Sequence, residues 1–153
     1  MLRAVAITIL IALSLPARAS EEPELVRLFL DRAREACLKA GGTATPEPTV
    51  TSFDLTGRGY FDWIVHYDGY CADVPNQFCS AGGCVFQIFR GWPDGRATLM
   101  IEQSALRWRA GRVRGLPALI LTRWSRFCPR GRRICDETYV FDRQGGMTHL
   151  ATR

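Results

Sequence analysis

From Glu21 to Ala40 the apolar residues Leu25, Phe29, Ala33, Ala36 with Cys37, and Ala40 fall on one stripe, with charged residues filling the other positions. That period predicts an amphipathic helix. Glu21, Glu22 and Glu24 suit its positive N-terminal end and Lys39 its C-terminal end, and Gly41-Gly42 supplies the stop. Thr43 to Thr49 follows as an extended connector, because Pro46 and Pro48 both oppose helix. Beyond it the pattern changes to short runs rich in β-branched and aromatic residues, bounded by Gly, Pro and Asp. These predict strands at Val50 to Leu55, Asp62 to Tyr67, Val85 to Arg90, Ala97 to Glu102, Leu106 to Ala110, Ala118 to Trp124, Thr138 to Phe141 and Met147 to Ala151. Trp92-Pro93-Asp94-Gly95 and Arg143-Gln144-Gly145-Gly146 read as hairpin turns. With no second helical stretch to cross over, the expected fold class is α+β: an N-terminal helix packed on a twisted antiparallel β-sheet.

The first residues change the picture of where this domain resides. Arg3 precedes an apolar run from Ala4 to Leu15, Pro16 breaks it, and Ala17-Arg18-Ala19 has the form of a cleavage site. Residues 1–19 are therefore expected to be a secretory signal peptide, and residues 20–153 a single periplasmic or secreted domain. The apolar run is shorter than the roughly 20 residues needed to span a bilayer, and no later transmembrane segment is predicted.

Six cysteines, Cys37, Cys71, Cys79, Cys84, Cys128 and Cys135, lie in the expected mature chain. An even count in an exported domain predicts disulfides. Sequence alone leaves many connectivities open. Proximity favours Cys128 with Cys135 and Cys79 with Cys84, leaving Cys37 and Cys71 to tie the helix to the sheet. The spacing between successive cysteines does not fit the paired close ligands of a zinc site.

Charge is unevenly placed. Ser20 to Phe89 carries 5 basic and 10 acidic residues, and Arg90 to Arg153 carries 13 and 5. Export disfavours nucleic acid as the partner of the basic half, and points to an acidic protein or an anionic envelope polymer. Arg107, Arg109, Arg112 and Arg114 alternate with other residues beside Trp108. Arg123-Trp124-Ser125-Arg126 and Arg130, Arg132 and Arg133 add a loop cluster. Arginine beside tryptophan is the composition of a binding hot spot, so Arg130, Arg132, Arg133, Trp108 and Trp124 are the candidate binding residues.

Between the first two strands lies Asp54-Leu55-Thr56-Gly57-Arg58-Gly59-Tyr60-Phe61-Asp62. This loop resembles the calcium-binding D-x-[ND]-G-[DN]-G-x-x-D loops of FG-GAP (VCBS-type) repeats. The resemblance makes Asp54, Thr56 and Asp62 candidate ligands for a hard cation that takes about six to eight oxygens. Arg58 stands where those loops carry an acid, and Val65 occupies the twelfth position. On the residues themselves, no metal or other cofactor is expected; the loop reads either as a structural turn whose glycines take positive φ, or as one in which the Arg58 guanidinium stands in for the ion, bridging Asp54 and Asp62. The Asp54 to Trp63 loop, together with Cys79-Ser-Ala-Gly-Gly-Cys84, is also similar to small exported six-cysteine proteins of proteobacteria. The loop between Cys79 and Cys84 resembles that of periplasmic inhibitors of vertebrate-type lysozyme, without the histidine those loops present.

Catalytic chemistry has little to build on. His66 lies in a strand and is expected to be a packed histidine, with Asp62 about 13 Å away along the same face. His149 is expected at the surface. The serines lie in no G-x-S-x-G context, and Asp68 and Asp73 read as turn residues. The expectation is a non-enzymatic binding or inhibitor-like module of the cell envelope. The alternatives are an envelope hydrolase or a structural domain with a degenerate calcium loop.

Overall fold

The computed structural model describes residues 22–45, 50–124, 128, 131–142 and 144–150. A single helix, α1 (Glu24–Lys39), precedes eleven strands among these residues: β1 (Thr43–Ala44), β2 (Val50–Phe53), β3 (Asp62–His66), β4 (Cys71–Ala72), β5 (Cys79–Ser80), β6 (Gly83–Gly91), β7 (Ala97–Ala105), β8 (Arg107–Val113), β9 (Leu116–Trp124), β10 (Ile134–Phe141) and β11 (Met147–Leu150). All the strand pairings are antiparallel. The expected single sheet is instead divided. One sheet runs β2-β3-β6 with β7 and the short β5 also paired to β6, a second runs β8-β9-β10-β11, and β1 pairs with β4 alone. The fold is accordingly more β than the α+β expectation.

Two cores explain this division. Ile64, Phe86, Ile88 and Ile101 point from the first sheet toward Leu119, Leu121 and Phe141 of the second. Trp63, Val65 and Phe89, on the opposite face of the first sheet, meet Val26, Ala33 and Phe29 of α1. The first sheet is therefore covered on both sides, and β3 and β6 are almost continuously buried. A sheet so enclosed has no reason to alternate apolar with polar residues. The helical stripe is centred on Val26, Ala33 and Cys37, whereas Ala40, expected on it, is exposed. The chain passes between sheets at Ala105–Arg107, where the Leu106 N–H donates to the Thr122 carbonyl at 2.8 Å.

Three disulfides cross-link the chain. Cys37–Cys71 ties α1 to the β1-β4 ladder, Cys79–Cys84 joins directly paired residues of β5 and β6, and Cys128–Cys135 closes the segment between β9 and β10. These are the pairings that proximity favoured. No helix among the described residues is long and apolar enough to cross a membrane.

Candidate functional site

The acidic loop between β2 and β3 forms a closed corner. The Asp54 carboxylate accepts backbone N–H groups from Thr56 at 3.2 Å, Arg58 at 3.0 Å and Gly59 at 2.7 Å. Burial pushes this carboxyl up, but the N–H groups of Gly59, Arg58, Gly57 and Thr56 together hold it below the ordinary aspartate value. Asp62, at the start of β3, is buried. It accepts Gly91 N–H and Leu55 N–H, each at 3.2 Å. Burial holds its carboxyl above the ordinary value, against the Gly91 N–H, the Arg58 charge and the Leu55 N–H.

Arg58 lies across this loop. Its Nε donates to Thr56 Oγ1 at 2.6 Å, and its Nη2 meets Asp62 Oδ1 at 3.5 Å and the Gly91 carbonyl at 3.4 Å. The expected bridge between Asp54 and Asp62 is thus half realised: the guanidinium reaches Asp62, while Asp54 is served by the loop backbone. The guanidinium thus lies between Thr56 and Asp62, two of the three candidate cation ligands.

Around Arg58 the fold assembles residues that no local pattern connects. The Arg58 Cζ lies 5.9 Å from the Tyr60 ring centroid and 5.8 Å from that of Trp92, and the Arg90 Cζ lies 5.9 Å from Trp92. Tyr60 and Trp92 are exposed. Gly145, in the β10–β11 turn, covers both guanidiniums: a Cβ there would lie 3.0 Å from Arg90 Cζ and 3.3 Å from Arg58 Nη1. Arg90, Trp92 and Gly145 were not legible as site residues. Arg58, Arg90 and Gly145 come together only by tertiary packing.

The arginine-rich second half resolves into two groups. On the second sheet the arginines are partnered. Arg109 meets Asp136 at 3.6 Å, Arg123 meets Glu137 at 3.1 Å and also Gln103, and Arg107 Nε donates to Thr122 Oγ1 at 3.2 Å. Arg112 donates to the Gly115 carbonyl at 3.0 Å. At the Cys128–Cys135 loop Arg132 and Arg133 are exposed; Arg130 lies outside the described residues. Trp108 does not join this group. Half-buried, it stacks on Phe53 with ring centroids 6.2 Å apart and tilts against Phe86 at 6.0 Å, so it packs on the inter-sheet core. Trp124 is 45% exposed and is the register partner of Ile134, which is 53% exposed. Ile134 is a surface residue that the sequence pattern did not single out.

His66 has its Nε2 3.2 Å from the Ala105 carbonyl and its ring edge toward Phe86, the packed histidine expected of it. His149 is exposed and tilts against Tyr139. Tyr67, Tyr70, Phe78 and the Cys79–Cys84 bridge line a cleft of about 470 Å³ that also includes Asp68. The Asp68 carboxylate and the two sulfurs lie within 4.8 Å of one another, but both sulfurs are bonded to each other, which leaves no thiolate for a metal. Comparison of the chain with protein-family models, with curated proteins and with solved structures finds no match.

Proposed function

We propose that this protein is an exported, non-enzymatic binding module of the cell envelope, periplasmic or secreted, that docks an acidic protein partner through Trp124, Ile134 and the arginines of the Cys128–Cys135 loop. The observation that carries the reading is the exposed Trp124–Ile134 register pair at the base of a disulfide-closed cationic loop. A large aromatic beside an aliphatic side chain on a rigid β-pair offers a desolvatable anchor, and nearby arginines supply complementarity to carboxylates. The sheet arginines have acidic or polar partners of their own, so Arg132 and Arg133 are the cations this surface presents outward. Three disulfides suit an oxidising compartment, and the leader-like first residues agree with export.

The test is capture from envelope extract by the oxidised protein, repeated with Trp124→Ala/Ile134→Ala and with Arg132→Ser/Arg133→Ser. A stoichiometric acidic protein, lost with both variants, is the expected result. Retention of the same partner by both variants refutes the surface. Capture of an anionic polymer with no protein would replace the acidic-protein assignment by the polymer one.

A further inference from the structure

The cleft beside the Cys79–Cys84 bridge shares no residue with the Trp124 surface. Its floor is aromatic. Tyr67 and Phe78 stack with ring centroids 5.1 Å apart, and Tyr70 meets them edge-on at 5.5 and 5.8 Å. Both tyrosine hydroxyls are engaged away from the cleft. Tyr67 Oη donates to Gln87 Oε1 at 3.0 Å and Tyr70 Oη to the Leu30 carbonyl at 3.3 Å, and neither acceptor residue lines the cleft. The tyrosines therefore offer it ring surface rather than O–H groups. Cys71 and the Cys79–Cys84 bridge complete the wall, so two disulfides hold its shape. Tyr67, Tyr70, Cys71 and Cys84 are buried, whereas Asp68, Gly69, Asp73 and Asn76 are exposed. A buried apolar floor thus opens to water at a polar rim.

The charge on this rim is one-sided. Asp68 and Asp73 line the cleft, and no lysine, arginine or histidine does. The Asp68 carboxylate lies within 4.8 Å of both sulfurs of the bridge and 3.6 Å from Cys84 Sγ. That sulfur is bonded to Cys79 and has no proton to donate. Among the described residues no N–H or O–H donates to this carboxylate and no cation pairs with it. Its acceptor oxygens are open to a ligand that enters the cleft.

We propose that this cleft binds a small organic amine in its ammonium form. The apolar body lies against Phe78 and Tyr70, and the ammonium donates to Asp68, with Asp73 adding to the negative rim. A cleft of about 470 Å³ is of the size that takes small molecules. Aromatic faces attract a cation, and a charge-assisted bond to a carboxylate is stronger than a neutral one. An anionic ligand would meet two carboxylates and no cation, and a neutral one would forgo the charge of Asp68.

The experiment titrates the oxidised protein with phenethylammonium, its neutral analogue phenethyl alcohol and the anion phenylacetate, by calorimetry and by amide NMR shifts. Variants are Asp68→Asn, at an exposed position, and Trp124→Ala. One phenethylammonium per chain is expected, with the largest shifts at Asp68, Gly69 and Phe78. Asp68→Asn weakens it by about fivefold or more, the loss of one charge-assisted hydrogen bond. The alcohol binds at least about fivefold more weakly than the amine, and phenylacetate more weakly still. Trp124→Ala leaves the affinity unchanged, which separates this site from the proposed protein-docking surface. Absence of amine binding, shifts confined to residues outside the cleft, or affinity insensitive to Asp68→Asn would each overturn the proposal. So would the alcohol or phenylacetate binding as tightly as the amine, or an affinity lowered by Trp124→Ala.

Discussion

Asp62 and Gly91 lock the corner of the first sheet: the Gly91 N–H donates to Asp62 Oδ1 at 3.2 Å, and the Phe61 carbonyl oxygen lies where a Gly91 side chain would begin. The loop before β3 and the end of β6 can approach this closely only because Gly91 has no Cβ. Gly91→Ala should therefore destabilise the protein by about 1–3 kcal/mol through backbone displacement. Gly111→Ala, whose Cβ would meet nothing closer than Ile120 at 3.9 Å, should be neutral or slightly stabilising. Urea unfolding of both variants distinguishes them, and equal midpoints would contradict the close approach.

Asp62 supports two backbone donors and one guanidinium, all largely out of water. Asp62→Ala strands both N–H donors and removes the ion pair of Arg58, which keeps Thr56 and the Gly91 carbonyl, and should cost about 3–5 kcal/mol. Arg58→Met should cost less, because Asp62 keeps both N–H donors. If Arg58→Met proves as costly as Asp62→Ala in urea unfolding, the carboxylate is not the centre of the corner.

The two loop aspartates should respond to pH with opposite signs. Asp54 is held below its ordinary 3.8, so its stabilising contribution is present above that value and lost as pH falls through the lower folded value. Asp62 is held above 3.8, so its ionisation costs stability as pH rises from there through the raised folded value. The deficit of Asp54→Asn relative to the parent should shrink in acid, and that of Asp62→Asn should shrink toward neutral pH. Thermal melts between about pH 2 and 7 show this; parallel curves for the two variants would rule it out.

Two tryptophans should separate stability from binding. Trp108→Ala removes a half-buried ring that stacks on Phe53 and tilts against Phe86 and should cost about 3 kcal/mol, the low end for truncating a packed aromatic. Trp124→Ala should change stability by no more than about 0.5 kcal/mol while abolishing capture of the acidic partner. A destabilised Trp124→Ala would make it a packing residue instead.

The disulfides should differ in worth. Cys37–Cys71 spans 34 residues of chain and Cys79–Cys84 only 5. Replacing the first pair with serine should cost roughly 2 kcal/mol more than replacing the second, from loop-closure entropy. Comparable midpoints in urea would show that native packing around the bridges outweighs that term.

Elements set by neighbouring residues were legible in the chain itself. The helix follows from the spacing of Phe29, Ala33 and Cys37 and from Gly41-Gly42. Strand order within hairpins follows from turn residues such as Pro93-Asp94-Gly95. The loop pairings of cysteines follow from chain proximity, and His66 from its place in an apolar strand. The splitting of one expected sheet into two layers was not legible, because Trp63 and Ile64 are both apolar and only packing tells which faces α1 and which faces Leu119. Trp108 and Trp124 look alike in sequence, each beside arginine. One turns inward to Phe53 and the other outward beside Ile134, since a strand residue's face depends on its register with distant partners. Arg58, Arg90 and Gly145 likewise meet only when the β10–β11 turn folds over the end of the first sheet. Local spacing determined the elements; the burial of each element against remote neighbours decided which side chains became core and which remained available to a ligand.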